Sequence, residues 1–223
     1  HPGSPKPPGK PDTMPLTNRV TPDGRIISTA ARGTLMGNRG GMMHRLDKTL
    51  GPRQWVSKAW ISCRLSFKGR WREVMSENSY TELFFLDEAT SFAAGHRPCY
   101  ECRRHDALAY AEFWAEAHDL SGVRAKAGQI DDQLHQERLT HDGRKATFKA
   151  EIGSLPTGTM VMVEERCWLV IAGRLFLWTP EGYTNASDIA PNTLVNVLTP
   201  PSTIEIFRAG YDADVHGSAL THM

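Results

Sequence analysis

The most regular hydrophobic pattern lies in the second half of the chain. Apolar residues alternate with others through Thr159–Val163, Cys167–Ala172 and Leu175–Trp178, and short turns separate the three segments. Alternation with a period of two is typical of half-buried β-strands, and short turns join neighbouring strands in antiparallel order. The pattern therefore predicts a three-stranded antiparallel meander, in which Cys167 is a small buried side chain.

A strand, a short helix and a longer helix are predicted in the middle of the chain. Tyr80–Leu86 is aromatic and rich in β-formers, and it is followed by Asp87, whose carboxylate suits the N-cap of a helix. Glu88–Ala94 is therefore expected to form one or two helical turns. Apolar residues at helical spacing in Asp106–His118 predict a second, amphipathic helix.

Weaker patterns elsewhere complete a mixed fold. Trp55–Phe67 alternates well enough for a strand, and the alternation places Cys63 on its apolar face. Gln129–Arg138 and Thr203–Ala209 have helical spacing. Gly33–Arg45 is rich in glycine and is interpreted as a loop, either a plain surface connection or one that presents N–H groups to a phosphate.

These elements indicate an α+β fold, and the chain divides into three stretches of different character. Residues 1–13 are rich in Pro, Gly and Lys and lack apolar periodicity, as expected of a tag or a disordered arm. Residues 14–120 are expected to form a basic part that contains a metal site. Residues 121–223 are expected to form a helix and an antiparallel β part, and the two parts could be one continuous domain.

Composition is that of an ordinary globular protein. The chain has 223 residues, of which 40% are hydrophobic and 23% are charged. No apolar run approaches the length of a membrane span, so no membrane partner is expected. The four cysteines are irregularly spaced, unlike a secreted disulfide framework. We therefore expect a cytoplasmic protein with reduced thiols.

The charge is unevenly distributed, although the net charge is only +1. Residues 32–72 contain ten Lys and Arg against one acid, whereas residues 151–223 contain three arginines against eight acids. Basic residues interleaved with tryptophans are typical of nucleic-acid surfaces, although solvated strand faces also carry Lys and Arg. The sequence predicts phosphate contacts from Arg39, Arg45, Lys58, Arg64, Lys68, Arg70 and Arg72, with base stacking on Trp55, Trp60 and Trp71.

Two cysteines indicate a metal site. Cys99 and Cys102 are two residues apart in the manner of a metal-binding pair, and they stand where the second helix is expected to begin. A structural zinc site needs four nitrogen or sulfur ligands. The predicted set is Cys63, Cys99, Cys102 and His44, with His96 and His105 as alternative fourth ligands and free thiols as the alternative to any metal.

The segment around this cysteine pair resembles a known family. AAGHRPCYEC, preceded by an aromatic strand and by DEATSF, is similar to the second half of the Ada-type metal-binding domain of bacterial alkylation-repair proteins. The resemblance covers residues 80–104. It implies a zinc-knuckle-like strand–helix unit with a structural Zn²⁺, in a bacterial protein that acts on DNA.

Two alternatives to a nucleic-acid-binding protein stay open. Asp131 and His135 are four residues apart on one face of a helix, and Glu137 follows. They are the candidate catalytic residues of a metal-dependent hydrolase or nucleic-acid-modifying enzyme with a site between the two parts, whereas an ordinary exposed helix would leave them solvated. The second alternative is a small-ligand or protein-interaction module in which the turn Trp178–Tyr183 lines a pocket.

Overall fold

Two six-stranded β-sheets and four α-helices make up the fold in the computed structural model, which describes residues 14–70, 73–120 and 123–222. The mixed content confirms the predicted α+β class. Residues 1–13, Trp71 and Arg72, for which the sequence made predictions, lie outside the described residues.

The first sheet combines parallel and antiparallel strands. Its spatial order is β2-β1-β5-β3-β4-β6. The β1–β5 and β4–β6 pairs are parallel, and the other neighbours are antiparallel. The strands are β1 (Thr17–Val20), β2 (Ile26–Ser28), β3 (Leu35–Asn38), β4 (Ile61–Arg64), β5 (Leu83–Phe85) and β6 (Arg97–Pro98).

The second sheet is antiparallel throughout and contains the predicted meander. Its order is β11-β10-β9-β8-β12-β7. The meander is confirmed as β8–β9–β10, and β11 extends it by one strand that was not predicted and that begins at the end of the predicted turn Trp178–Tyr183. The strands are β7 (Phe148–Glu151), β8 (Met160–Val163), β9 (Arg166–Ile171), β10 (Arg174–Thr179), β11 (Gly182–Ser187) and β12 (Leu194–Val197).

The four helices lie where the sequence predicts them, with small shifts at their ends. They are α1 (Glu88–Ala93), α2 (Arg104–Ala117), α3 (Ala127–Arg138) and α4 (Pro201–Arg208). Asp87 caps α1 as expected, since its Oδ1 accepts the N–H of Thr90 at 2.8 Å. None of the helices in the described part of the chain has the length and apolar content that a membrane crossing requires.

Helix α1 packs the first half of the chain against the second sheet. Leu86, Ala89 and Ala93 share a core cluster with Met160 and Leu169. One hydrophobic core therefore contains residues from both 14–120 and 121–223, and a second cluster also spans them, because α2 packs against α4 through Tyr110 and Ile206.

Two aromatic side chains of the second sheet hold the start of α1. The Tyr183 hydroxyl donates to Asp87 Oδ2 at 2.7 Å, and Trp178 Nε1 donates to Thr90 Oγ1 at 3.0 Å. These aromatics flank the turn that the sequence analysis offered as a pocket wall. Their hydrogen bonds therefore fix the start of α1 rather than contact a ligand.

Two segments of the first half differ from the sequence prediction. Gly33–Arg45 contains β3 and is not entirely a loop. A Cβ on Gly37 would lie 2.1 Å from the carbonyl oxygen of Ile61 and 2.9 Å from the Phe85 ring, so glycine is needed there for close strand packing. The strand predicted over Trp55–Phe67 is shorter, because only Ile61–Arg64 pairs with neighbouring strands.

Candidate metal centre

Three cysteines meet at the edge of the first sheet. Cys63 lies on β4, and Cys99 follows β6, which is the parallel neighbour of β4. The Cys99 N–H donates to Ser62 O at 2.9 Å, which holds the two chain segments together. Cys102 lies in the turn that leads into α2. The three sulfurs lie within 4.8 Å of one another, and they form the metal-competent group of His, Cys, Asp and Glu side chains found in the described part of the chain.

The spacing of these sulfurs fits a tetrahedral ion. With a Zn–S bond of about 2.3 Å, sulfurs in a tetrahedral zinc site lie about 3.8 Å apart. The observed separations, all within 4.8 Å, are compatible with that spacing. Cys63 and Cys99 are buried and Cys102 is half-buried, so the site lies just under the surface.

Hydrogen bonds within the cluster favour thiolates. The nearby Cys63 thiol is the main reason that the pKa of Cys99 is lowered to about 5 and that the pKa of Cys102 is lowered. The N–H of Glu101 also donates to Cys99 Sγ at 3.4 Å. The same contacts and burial raise the pKa of Cys63. The cluster therefore has two favoured thiolates and a third sulfur that a metal would deprotonate.

The histidine predicted as fourth ligand does not join the cluster. His44 Nδ1 lies 2.8 Å from Thr81 Oγ1, and its Nε2 lies 3.2 Å from Ser76 O. Both nitrogens are thus engaged in tying the Gly33–Arg45 segment to the chain before β5. The sequence placed His44 in a flexible loop free to approach the cysteines, whereas the structure buries it.

The two alternative histidines also lie outside the cluster. His96 is fully buried, and its Nε2 accepts from Arg39 Nε at 3.4 Å. Burial lowers the pKa of His96 well below its usual value, so this imidazole is neutral. The side chain of His105 is 96% exposed and lies 3.6 Å from Asp106. The protein ligands that the structure brings together are therefore the three sulfurs.

The residues predicted to bind nucleic acid fall into two groups. Arg39 and Trp60 are 1% and 2% exposed, so the prediction that they contact phosphate and bases at the surface is corrected. The two stack on each other, with the guanidinium carbon 4.0 Å from the indole centroid. Arg45, Lys58, Arg64, Lys68 and Arg70 are exposed, as is part of Trp55.

Part of the exposed group lies close to the cysteines along the chain. Arg64 follows Cys63 directly on β4. Beyond it, Lys68 and Arg70 lie over the Phe67 ring, at 5.1 Å and 5.7 Å from its centroid. Arg70 also forms an exposed ion pair with Glu101 at 2.7 Å. We call Arg64, Phe67, Lys68 and Arg70 the cationic rim of the cysteine site.

The structure does not assemble the predicted catalytic group. Asp131 is buried in a bidentate ion pair with Arg97, with both N–O distances at 2.8 Å. His135 Nδ1 lies 2.9 Å from Arg138 Nη2, and Glu137 accepts hydrogen bonds from the N–H and hydroxyl of Ser202. The sequence could show that Asp131 and His135 share a helix face, but not that each already has a structural partner.

Comparison with known proteins found no relative of this chain. The chain matches no model of a protein family, no curated protein and no solved structure.

Proposed function

We propose that this chain is a zinc-stabilised protein that binds nucleic acid beside its three-cysteine site. The observation that carries the proposal is the convergence of Cys63, Cys99 and Cys102 from two distant segments of the chain. A bound cation would stabilise this arrangement, because it would neutralise the thiolates that the cluster favours at Cys99 and Cys102. A bound zinc would add its binding free energy to folding and would fix the start of α2 against β4.

The cationic rim supports a polyanion partner. Its side chains are exposed and lie close in sequence to the metal ligand Cys63, and Phe67 provides a ring beneath two of the cations. Exposed Lys and Arg beside an aromatic are suited to phosphates and to base stacking. The Ada-type resemblance of residues 80–104 favours DNA over RNA.

A binding titration tests this proposal. We expect fluorescein-labelled single-stranded or duplex DNA to bind the zinc-loaded chain, with an affinity that falls linearly on a plot of log K against log salt. Arg64→Gln combined with Lys68→Gln should weaken binding. Lys149→Gln removes an exposed cation of the second sheet and serves as the matched control.

Two outcomes would contradict the proposal, one concerning nucleic-acid binding itself and the other its location at the rim. If the zinc-loaded chain shows no binding of DNA or RNA at low salt, the nucleic-acid function is wrong, whatever the metal content. If Lys149→Gln weakens binding as much as the rim variant, the rim is not the binding surface.

A further inference from the structure

A cavity of about 730 Å³ lies between the two halves of the chain. Its walls come from the turn before β2, the end of β3, the end of α3 and the segment before β7, with β8 and the end of β12 behind them. The volume is within the range of small-molecule binding sites, about 300–1,000 Å³. None of the cysteine ligands and none of the predicted catalytic residues lines it.

Three basic side chains at its wall have no acidic partner. Arg39 donates to the carbonyl oxygens of Gly24 and Gln54 and to His96, all of them neutral. Lys145 donates to the carbonyl oxygen of Ala93. No carboxylate among the described residues forms an ion pair with Arg39, Arg138 or Lys145.

Arg138 is held in the same way and retains an unused donor. Its guanidinium donates to the carbonyl oxygens of Gly95 at 2.9 Å and Lys58 at 2.8 Å. Its side chain is 1% exposed, and its Nε is buried without a hydrogen-bond partner. A buried unsatisfied donor on a cation is costly unless something accepts from it.

One indole fixes two of these cations. The guanidinium carbons of Arg39 and Arg138 lie 4.0 Å and 3.9 Å from the Trp60 ring centroid. Two like charges are thus held on a single buried ring, where each raises the electrostatic cost of the other. Rigid planar donors held in advance are suited to binding an oxyanion with little loss of entropy.

The other buried arginines of the described chain differ, because each of them is paired with a carboxylate. Arg97 is paired with Asp131, and Arg103 is paired with Glu88. The acid at the cavity wall, Asp23, is already bonded to the exposed Arg25 at 2.7 Å. The three cations therefore lack an ion-pair partner in the described chain, and Asp23 offsets the charge of Lys145 only without direct contact.

The remaining wall of the cavity is largely apolar. Ile26, Ile27, Leu50, Met162 and Leu198 contribute to it. A site with an apolar wall on one side and fixed cations on the other suits a ligand with an organic body and an anionic group. A planar body of the size of a nucleoside fits within this volume.

We propose that this cavity binds a small organic phosphate monoester of mononucleotide size, with the phosphate held by Arg39, Arg138 and Lys145. The free ammonium hydrogens of Lys145 would donate to the phosphate oxygens, and the guanidinium groups of Arg39 and Arg138 would add positive charge beside them. The apolar wall would contact the organic body. The site uses none of the metal ligands. This inference can therefore fail without the proposed function failing, and the reverse also holds.

Desolvation of these groups agrees with the assignment. Burial lowers the pKa of Arg39 and of Arg138 to about 9, and it lowers the pKa of Lys145 to about 7. A bound phosphate would reverse these shifts by supplying the missing negative charge.

Calorimetric titration of the purified chain tests the site directly. The probes are adenosine 5′-monophosphate, adenosine and inorganic phosphate at pH 7. We expect the monophosphate to bind at least about tenfold more tightly than adenosine, because charge-assisted hydrogen bonds to phosphate contribute about 1.5–3 kcal/mol each. Equal binding of the monophosphate and adenosine, or no binding of the monophosphate at millimolar concentration, overturns the proposal.

A pair of variants separates the cavity from general charge effects. Lys145→Met removes the ammonium but keeps a flexible side chain, and it should weaken binding of the monophosphate by at least about tenfold. Lys149→Met removes an exposed lysine that does not line the cavity and should leave binding unchanged. If both variants weaken binding equally, the phosphate does not occupy the cavity. Thermal unfolding of Lys145→Met shows whether the variant is folded, and Arg39→Met provides a second test at the same wall.

Discussion

The cysteine site and the cavity both bring together buried groups of one charge sign, and the signs are opposite. At the first, the nearby Cys63 thiol lowers the pKa values of Cys99 and Cys102. At the second, Arg39 and Arg138 contact one indole without a carboxylate between them. The sign of the unneutralised charge indicates the kind of ligand, which is a soft cation at the sulfurs and an oxyanion in the cavity.

A third arrangement in the same molecule shows how buried charge is treated when no ligand is involved. Arg97 and Asp131 form a bidentate pair, and Arg103 joins Glu88 to Asp106. These pairs neutralise themselves inside the fold. The two candidate sites differ from them because each lacks its counter-charge, and the following experiments test that difference.

The largest effect is expected from loss of a metal ligand. Cys99→Ala should abolish zinc binding and lower the free energy of unfolding by at least about 3 kcal/mol, since structural zinc contributes its binding free energy to folding. Elemental analysis and urea denaturation measure the two effects.

Cys167→Ala is the matched control for that variant. Cys167 is buried on β9, outside the sulfur cluster. It should keep full zinc content and show only the modest cost of a small cavity. Equal zinc loss in both variants would contradict the assignment of the ligands.

The next-largest effect is the difference in unfolding free energy between removing a paired and removing an unpaired buried cation. Arg97→Met leaves the Asp131 carboxylate buried without its partner and should cost about 3–5 kcal/mol of unfolding free energy. Lys145→Met leaves no unpaired acid and should cost less than about 1 kcal/mol in the absence of ligand. Denaturant unfolding of both variants measures the difference. A similar cost for the two would contradict the distinction between paired and unpaired buried cations.

The pH dependence of ligand binding gives a smaller effect. The pKa of Lys145 is about 7, lowered by burial first and then by Arg39 and Arg138, while Asp23 and Cys167 oppose the shift. A bound phosphate would raise this pKa, so the complex would take up a proton above pH 7. Affinity should be fully present below pH 7 and should fall as pH rises.

Calorimetry between pH 7 and pH 9 measures this fall. The expected slope is at most about tenfold per pH unit, the limit for one proton. The second pKa of phosphate is near 6, so the ligand keeps its charge over this range. Lys145→Met should remove the slope, and a slope that persists in that variant would show that another group titrates.

The smallest effect concerns single cations of the rim. Arg64→Gln should weaken DNA binding by less than about 1 kcal/mol and reduce the salt slope by about 1. Anisotropy titrations at several salt concentrations measure both quantities. An unchanged slope would place Arg64 away from the phosphates.

Local patterns in the sequence predicted much of the fold. The meander is visible because each strand alternates and its turns are short, and α1 is visible because Asp87 stands before it. Cys63 was also found, since strand alternation placed it on the buried face and the cysteine pair required a further sulfur. These features depend on neighbours within a few residues or on a small number of cysteines.

Burial of charge could not be predicted in the same way. Arg39 and Trp60 were interpreted as surface residues because a count of basic residues contains no information about depth. Asp131 was interpreted as catalytic because its partner, Arg97, comes from a distant part of the chain. The cavity is likewise formed by long-range packing, so neither Arg138 nor Lys145 carried a signal in the sequence.

The most direct test of the central claim is to measure zinc and reactive thiols together in the purified chain, with and without a chelator. The account predicts one zinc per chain, with Cys63, Cys99 and Cys102 unreactive until the chelator removes the metal, while buried Cys167 reacts only on unfolding. A chain that folds cooperatively without metal, and whose three clustered thiols react equally with or without the chelator, would contradict it.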